Sequence, residues 1–110
     1  MYFKNLFLKT AWVEGDLEMI KWLHKKGIQG CSIETMDCVA YRGDVVKFLH
    51  ANRTEGCTEL AMDNAAENGH LDVVKFLHEN RTEGCTERAI DNAAMHGHLD
   101  VVKFLHENRT

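Results

Sequence analysis

Proline is absent from this 110-residue chain, and glycine occurs only 8 times. That scarcity excludes collagen-like and proline-rich linker architectures and favours helices joined by brief turns. Long apolar runs are missing too. None approaches the roughly 18–20 residues a membrane helix needs. The N-terminal stretch from Met1 to Lys9 has only a broken apolar run and no small-residue cleavage site, so it reads poorly as a signal peptide. Basic charge is not in excess: 13 Lys and Arg stand against 17 Asp and Glu, a formal net charge of −4. That balance argues against a general nucleic-acid binder, whose affinity rests on clustered Lys and Arg. The 4 cysteines form no Cys-x-x-Cys pair, and their spacing matches no zinc module. With 45% hydrophobic and 27% charged residues, the chain reads as one globular domain able to bury a core without staples.

What is present is a repeat. The segment from Gly69 to Thr82 recurs unchanged from Gly97 to Thr110, 28 residues further on. The blocks 55–82 and 83–110 differ at 4 positions only. Upstream, Gly43-Asp44-Val45-Val46-Lys47-Phe48-Leu49-His50 is a copy that lacks two residues, and Gly15 to His24 is a full-length but diverged one. Four repeats, approximately 1–28, 29–54, 55–82 and 83–110, therefore fill a single domain over 1–110.

Each repeat reads as two short helices. In the third, a first helix is predicted from about Thr58 to Asn68, with Ala61, Met62, Ala65 and Ala66 on its buried face. Thr58 is the predicted cap and Gly69 the breaker. A second helix is predicted from about Leu71 to Glu79, apolar along Leu71, Val73, Val74, Phe76 and Leu77. Helices of about ten residues are marginal alone in water. They must stack on neighbouring repeats, which predicts an all-α solenoid.

The run Ala65-Ala66-Glu67-Asn68-Gly69-His70-Leu71-Asp72-Val73-Val74-Lys75-Phe76-Leu77 resembles the ankyrin-repeat signature, Ala-Ala-x-x-Gly-His-Leu-x-Val-Val-x-x-Leu. The fourth repeat matches equally well; Val39-Ala40-Tyr41-Arg42-Gly43 and Ala11-Trp12-Val13-Glu14-Gly15 match more loosely. The period of 28 is shorter than the family's usual one of about 33. The Thr-Pro-Leu-His box is replaced by Leu60-Ala61-Met62-Asp63 and Arg88-Ala89-Ile90-Asp91. The missing residues fall where the family places its β-hairpin, so the hairpins are expected to be trimmed to tight loops. The resemblance implies a non-enzymatic protein-interaction module that presents a concave first-helix surface to a protein partner.

The differences between the two youngest repeats point to that surface. They are Leu60/Arg88, Met62/Ile90, Glu67/Met95 and Asn68/His96. At 100° per residue, position 67 lies about 20° from position 60 and position 68 about 80°, whereas position 62 lies about 200° away on the apolar face. The radical changes therefore sit on the exposed side. With the equivalent pair Tyr41 and Arg42, the candidate partner-binding residues are Tyr41, Arg42, Glu67, Asn68, Met95 and His96, flanked by Glu34, Leu60 and Arg88. Tyr41 and Arg42 are the expected anchors.

Other residues receive plainer readings. Three of the cysteines, Cys31, Cys57 and Cys85, are read as small half-buried thiols just before the first helix, too far apart across repeats to pair, and free thiols point to a reducing, cytoplasmic location. His24, His50, His78 and His106 recur at the end of the second helix, where an imidazole meets terminal carbonyls and the negative end of the dipole. The row Asp37, Asp63, Asp91 reads as a solvated face, and the three Asn-Arg-Thr triplets read as polar helix ends and turns rather than glycosylation sites. No catalytic constellation and no cofactor site is apparent.

Two alternatives stand beside the interaction module. One is a structural spacer or fragment of a larger repeat protein that self-associates through uncapped ends, with Val101, Val102, Phe104 and Leu105 partly facing solvent and the aromatics of Met1 to Phe7 capping the other end. The other is a divalent-metal protein using His96 and His98, although no third ligand is visible.

Overall fold

In the computed structural model of the chain, residues 11–108 are described, and all regular structure among them is helical. The reading of Met1 to Phe7 as an end cap lies outside those residues. Residues 11–14 are helical and are followed by α1 (Leu17–Lys25), α2 (Ile33–Cys38), α3 (Gly43–Asn52), α4 (Glu59–Glu67), α5 (Leu71–Asn80), α6 (Glu87–Met95) and α7 (Leu99–Asn108). The helices α2, α4 and α6 pack side by side as an inner row, and α1, α3, α5 and α7 as an outer row. The stack measures 45 × 24 × 20 Å. It is the expected solenoid of helix pairs, with short strand-free loops where hairpins were expected to be trimmed.

Local chemistry sets the ends of the helices. Asp16 caps α1 through its carboxylate, which accepts from the Met19 N–H at 2.8 Å. Thr58 and Thr86 cap α4 and α6, their hydroxyls accepting from the N–H groups of Leu60 and Arg88, each at 3.1 Å. Gly69 ends the first-helix turn with φ +75°, a left-handed conformation that costs other L-residues strain. The buried face of α4 is the predicted one, Ala61, Met62, Ala65 and Ala66, and α5 buries Val73, Val74 and Leu77. Sealing one such aliphatic side chain from water stabilises the fold by roughly 1.5–3 kcal/mol.

The second repeat departs from the alignment the sequence suggests. Gly43 does not form a turn like Gly69; it is the first residue of α3, with Arg42 as N-cap. The two missing residues were taken from the first helix and its turn, so α2 is only 6 residues long. Val39 and Ala40 fill the shortened turn and are fully buried.

At the C-terminal end the expected solvent exposure is distributed differently. Val101 and Leu105 are buried against the preceding layer, and Val102 and Phe104 are half-buried. The surface that faces solvent is made by Ala94, Met95 and Leu99. The apolar stripe of the last outer helix points back into the stack, and only its forward edge lacks a neighbour.

Candidate functional site

One polar joint recurs at the junctions between repeats. Asp37 accepts the N–H of Thr58 at 2.8 Å and its hydroxyl at 2.7 Å, and Asp63 does the same for Thr86 at 2.8 and 2.6 Å. Both aspartates are buried. The reading of this row as a solvated face is therefore overturned for Asp37 and Asp63; only Asp91, in the last repeat, faces solvent. Their spacing hid the role, because each partner threonine lies more than 20 residues away on the next repeat. The signal was the joint retention of Asp and Thr at fixed register in the third and fourth repeats.

Three histidines in the last turns of the outer helices also serve the junctions. His24, His50 and His78 meet Phe48, Phe76 and Phe104 edge to face, with ring centroids 5.3–5.5 Å apart. Arg53 Nη1 lies 3.2 Å from His24 Nδ1, and Arg81 Nη1 lies 3.4 Å from His50 Nδ1. The Asn-Arg-Thr triplets are thus more than polar turns. Arg53 and Arg81 pair with Glu55 and Glu83 at 2.7 and 2.9 Å, and Arg53 also lies over the ring of buried Trp12. These arginine hydrogen bonds hold the Glu55 and Glu83 carboxyls below their ordinary range. Burial, reinforced by the nearby glutamates, raises the thiols of Cys31 and Cys57, the latter to about 11. No disulfide joins the cysteines among the described residues.

Against this scaffold, the variable side chains stand outward. Leu60 is 48% exposed and Met95 75%; Arg88, Asn68 and His96 are exposed, and Glu67 is half-buried. His96 Nε2 lies 3.9 Å from Glu67 Oε1, a long contact between two partly exposed side chains at the ends of α4 and α6. Asn68 Nδ2 donates to the Asn64 carbonyl at 2.8 Å, closing the end of α4. Leu60 and Arg88 line an open depression of about 500 Å³ together with Glu59, Asp63, Thr86 and Glu87. Glu59 and Glu87 do not differ between the two repeats, so sequence variation did not mark them as partner-binding candidates. Glu34 is exposed on α2, the position equivalent to Leu60 and Arg88.

The second-repeat pair is placed otherwise. Tyr41 and Arg42 lie in the turn before α3, beyond the shortened first helix. Tyr41 is exposed. Arg42 is drawn back onto the preceding repeat, where its guanidinium donates to the carbonyls of Val13, at 3.1 Å, and Gly15. It closes the end of the helical stretch 11–14 and is half-buried in doing so.

The His96 and His98 rings lie 6.2 Å apart and tilted. Among the described residues, no group of three or more His, Cys, Asp and Glu is placed to hold a metal ion. No helix among them is long and apolar enough to cross a membrane.

A two-row stack of short helix pairs, jointed by polar contacts and open along its inner row, defines a repeat solenoid. The ankyrin-repeat profile, "Ankyrin repeats (many copies)", matches residues 8–78 and 62–106. The chain belongs to the ankyrin-repeat family, whose repeats generally serve as protein-interaction modules. Searches of curated proteins and of solved structures returned no match.

Proposed function

We propose that the chain is a non-enzymatic protein-interaction module whose partner contacts the inner-row surface formed by α4, α6 and the turn after α2. The observation that carries this reading is the separation of roles within one pair of near-identical repeats. Three of the 4 differing positions, 60, 67 and 68 with their counterparts, lie on the open surface, while the joints are kept and the core changes only from Met62 to Ile90. Leu60, Arg88, Met95 and His96 supply apolar area, a guanidinium, a thioether and an imidazole, a mixture suited to protein interfaces. Tyr41, Glu67, Asn68 and Glu34 extend the surface along the inner row. Arg42 is assigned to bracing the preceding repeat rather than to partner contact. A preformed stack loses little entropy on binding, which favours affinity from a modest area. Thiols packed against carboxylates, with no disulfide among the described residues, support a reducing compartment.

The test is quantitative affinity capture from a cell extract, comparing the chain with its Tyr41→Ala/Leu60→Ala/Met95→Ala/His96→Ala variant at equal helicity and mass. A protein captured by the parent and lost by the variant is the expected result. Equal capture by both would contradict the reading and favour a structural spacer.

A further inference from the structure

Two of the arginine contacts on the outer row can exist in one protonation state only. Arg53 Nη1 lies 3.2 Å from His24 Nδ1, and Arg81 Nη1 lies 3.4 Å from His50 Nδ1. A guanidinium has donors and no acceptor, and it keeps its charge throughout the pH range of proteins. In both contacts the ring nitrogen is therefore the acceptor, which requires a neutral imidazole with its hydrogen on Nε2. An imidazole that gains a proton has two donors and no acceptor left. The hydrogen bond is then replaced by two cations facing each other.

The surroundings give such a cation little relief. Against His24, α3 contributes the edge of Phe48, and the turn after α3 contributes Arg53 with Glu55 behind it. Glu55 is already engaged. Its Oε1 accepts from Arg53 Nε at 3.0 Å and from the Cys31 thiol at 3.7 Å, and its Oε2 accepts from Arg53 Nη2 at 2.7 Å. Against His50, α5 contributes Phe76, and the turn after α5 contributes Arg81, whose Nε and Nη2 occupy both oxygens of Glu83. The thiol of Cys57 also donates to Glu83. Lys25 and Lys47, on the histidines' own helices, add further positive charge, and Lys47 Nζ already lies over the Phe76 ring.

The inner row is built without this chemistry. Its joints, Asp37 to Thr58 and Asp63 to Thr86, contain no imidazole. We propose that His24 and His50 are acid-released latches. In mild acid, as histidine takes up its second proton near about pH 6.5, each ring lets go of its arginine. The turns after α3 and α5 loosen, and the outer row opens at the first two junctions. At the second junction Asp37 still holds Thr58, so one edge opens while the other stays shut and the curvature of the stack changes. This inference does not depend on a partner at the inner row.

The test uses the full chain and its His24→Asn/His50→Asn variant, in which an amide oxygen replaces each acceptor nitrogen and does not titrate. In the parent, the side-chain NMR signals of Arg53 and Arg81 should shift between pH 8 and pH 5 with the midpoints of the His24 and His50 ring signals, although arginine itself does not titrate there. Amide exchange, corrected for its intrinsic pH dependence, should lose about tenfold of its protection at pH 5.5 relative to pH 7.5 across residues 49–57 and 77–85. Protection of α4 and α6 should stay as it is. The variant should show neither the arginine shifts nor the loss. Should the variant not fold, the arginine signals of the parent decide alone. Arginine signals that stay flat, equal protection at the two pH values, or the same loss in a folded variant would each overturn the proposal. So would a loss spread evenly over inner and outer rows, because acid would then be acting elsewhere.

Discussion

The carboxylate of Asp63 takes both donors of Thr86, its N–H at 2.8 Å and its hydroxyl at 2.6 Å, across the junction between α4 and α6. The same threonine hydroxyl then accepts from Arg88 N–H at the start of α6. One pair of residues thereby docks a repeat and caps its first helix.

Removing that carboxylate strands a threonine N–H and hydroxyl at a buried joint. Asp63→Ala should lower unfolding free energy by about 2–3 kcal/mol, as expected for charged hydrogen bonds lost with an unsatisfied donor. Asp91→Ala, the same change at an exposed position, should stay within about 0.5 kcal/mol. Urea denaturation of the two variants checks the contrast.

Gly69 and Gly97 form a second matched pair. Their φ values are +75° and +76°, so alanine suffers the same left-handed strain at both, about 1–2 kcal/mol. At Gly69 the added carbon also meets the His98 ring, while at Gly97 it meets open space. Gly69→Ala should therefore reduce Tm more than Gly97→Ala. Thermal unfolding followed by circular dichroism reads the difference directly.

Much of this architecture was legible in the sequence because repetition exposes periodicity. The capping threonines, the glycine turns and the buried alanines of α4 all follow from local spacing within one helix. The joints did not. On a helical wheel Asp63 lies close to Leu60, on the side opposite the core, and its burial comes from the next repeat stacking sideways upon it. The same blindness placed His50 at its helix end without showing its contacts with Phe76 and Arg81. In the second repeat, equating Gly43 with Gly69 aligned residue types rather than backbone roles. The loss of two residues shortened α2 and moved Tyr41 and Arg42 into the turn, where Arg42 reaches back to Val13 and Gly15.

That reach predicts a stability role for Arg42. Arg42→Ala should cost about 1–3 kcal/mol, since it frees two half-buried carbonyl acceptors. The exposed neighbour Tyr41 should tolerate alanine with little loss. Hydrogen exchange on the Arg42 variant should show the added opening near residues 11–20, ahead of the later repeats.

Cys57 retains its proton in the folded chain up to about pH 11, against an ordinary value of 9.0. Between those values the unfolded chain releases the proton and the folded chain does not, so stability falls as pH rises through that window. Cys57→Ser should flatten this part of the alkaline limb in a pH series of denaturation curves. In the native parent at pH 8, iodoacetamide should modify exposed Cys38 before buried Cys57, as peptide mass mapping would show.

The central claim is a division of labour, with joints that hold the stack and outward side chains that do not. It is tested most directly by the calorimetric unfolding midpoint of the Leu60→Ala/Arg88→Ala/Met95→Ala/His96→Ala variant, measured beside that of Asp63→Ala. The account predicts a Tm within about 2 °C of the parent for the fourfold variant and a drop of several degrees for the single one. A fourfold variant that melts as early as Asp63→Ala would contradict it, because the displayed residues would then be part of what holds the repeats together.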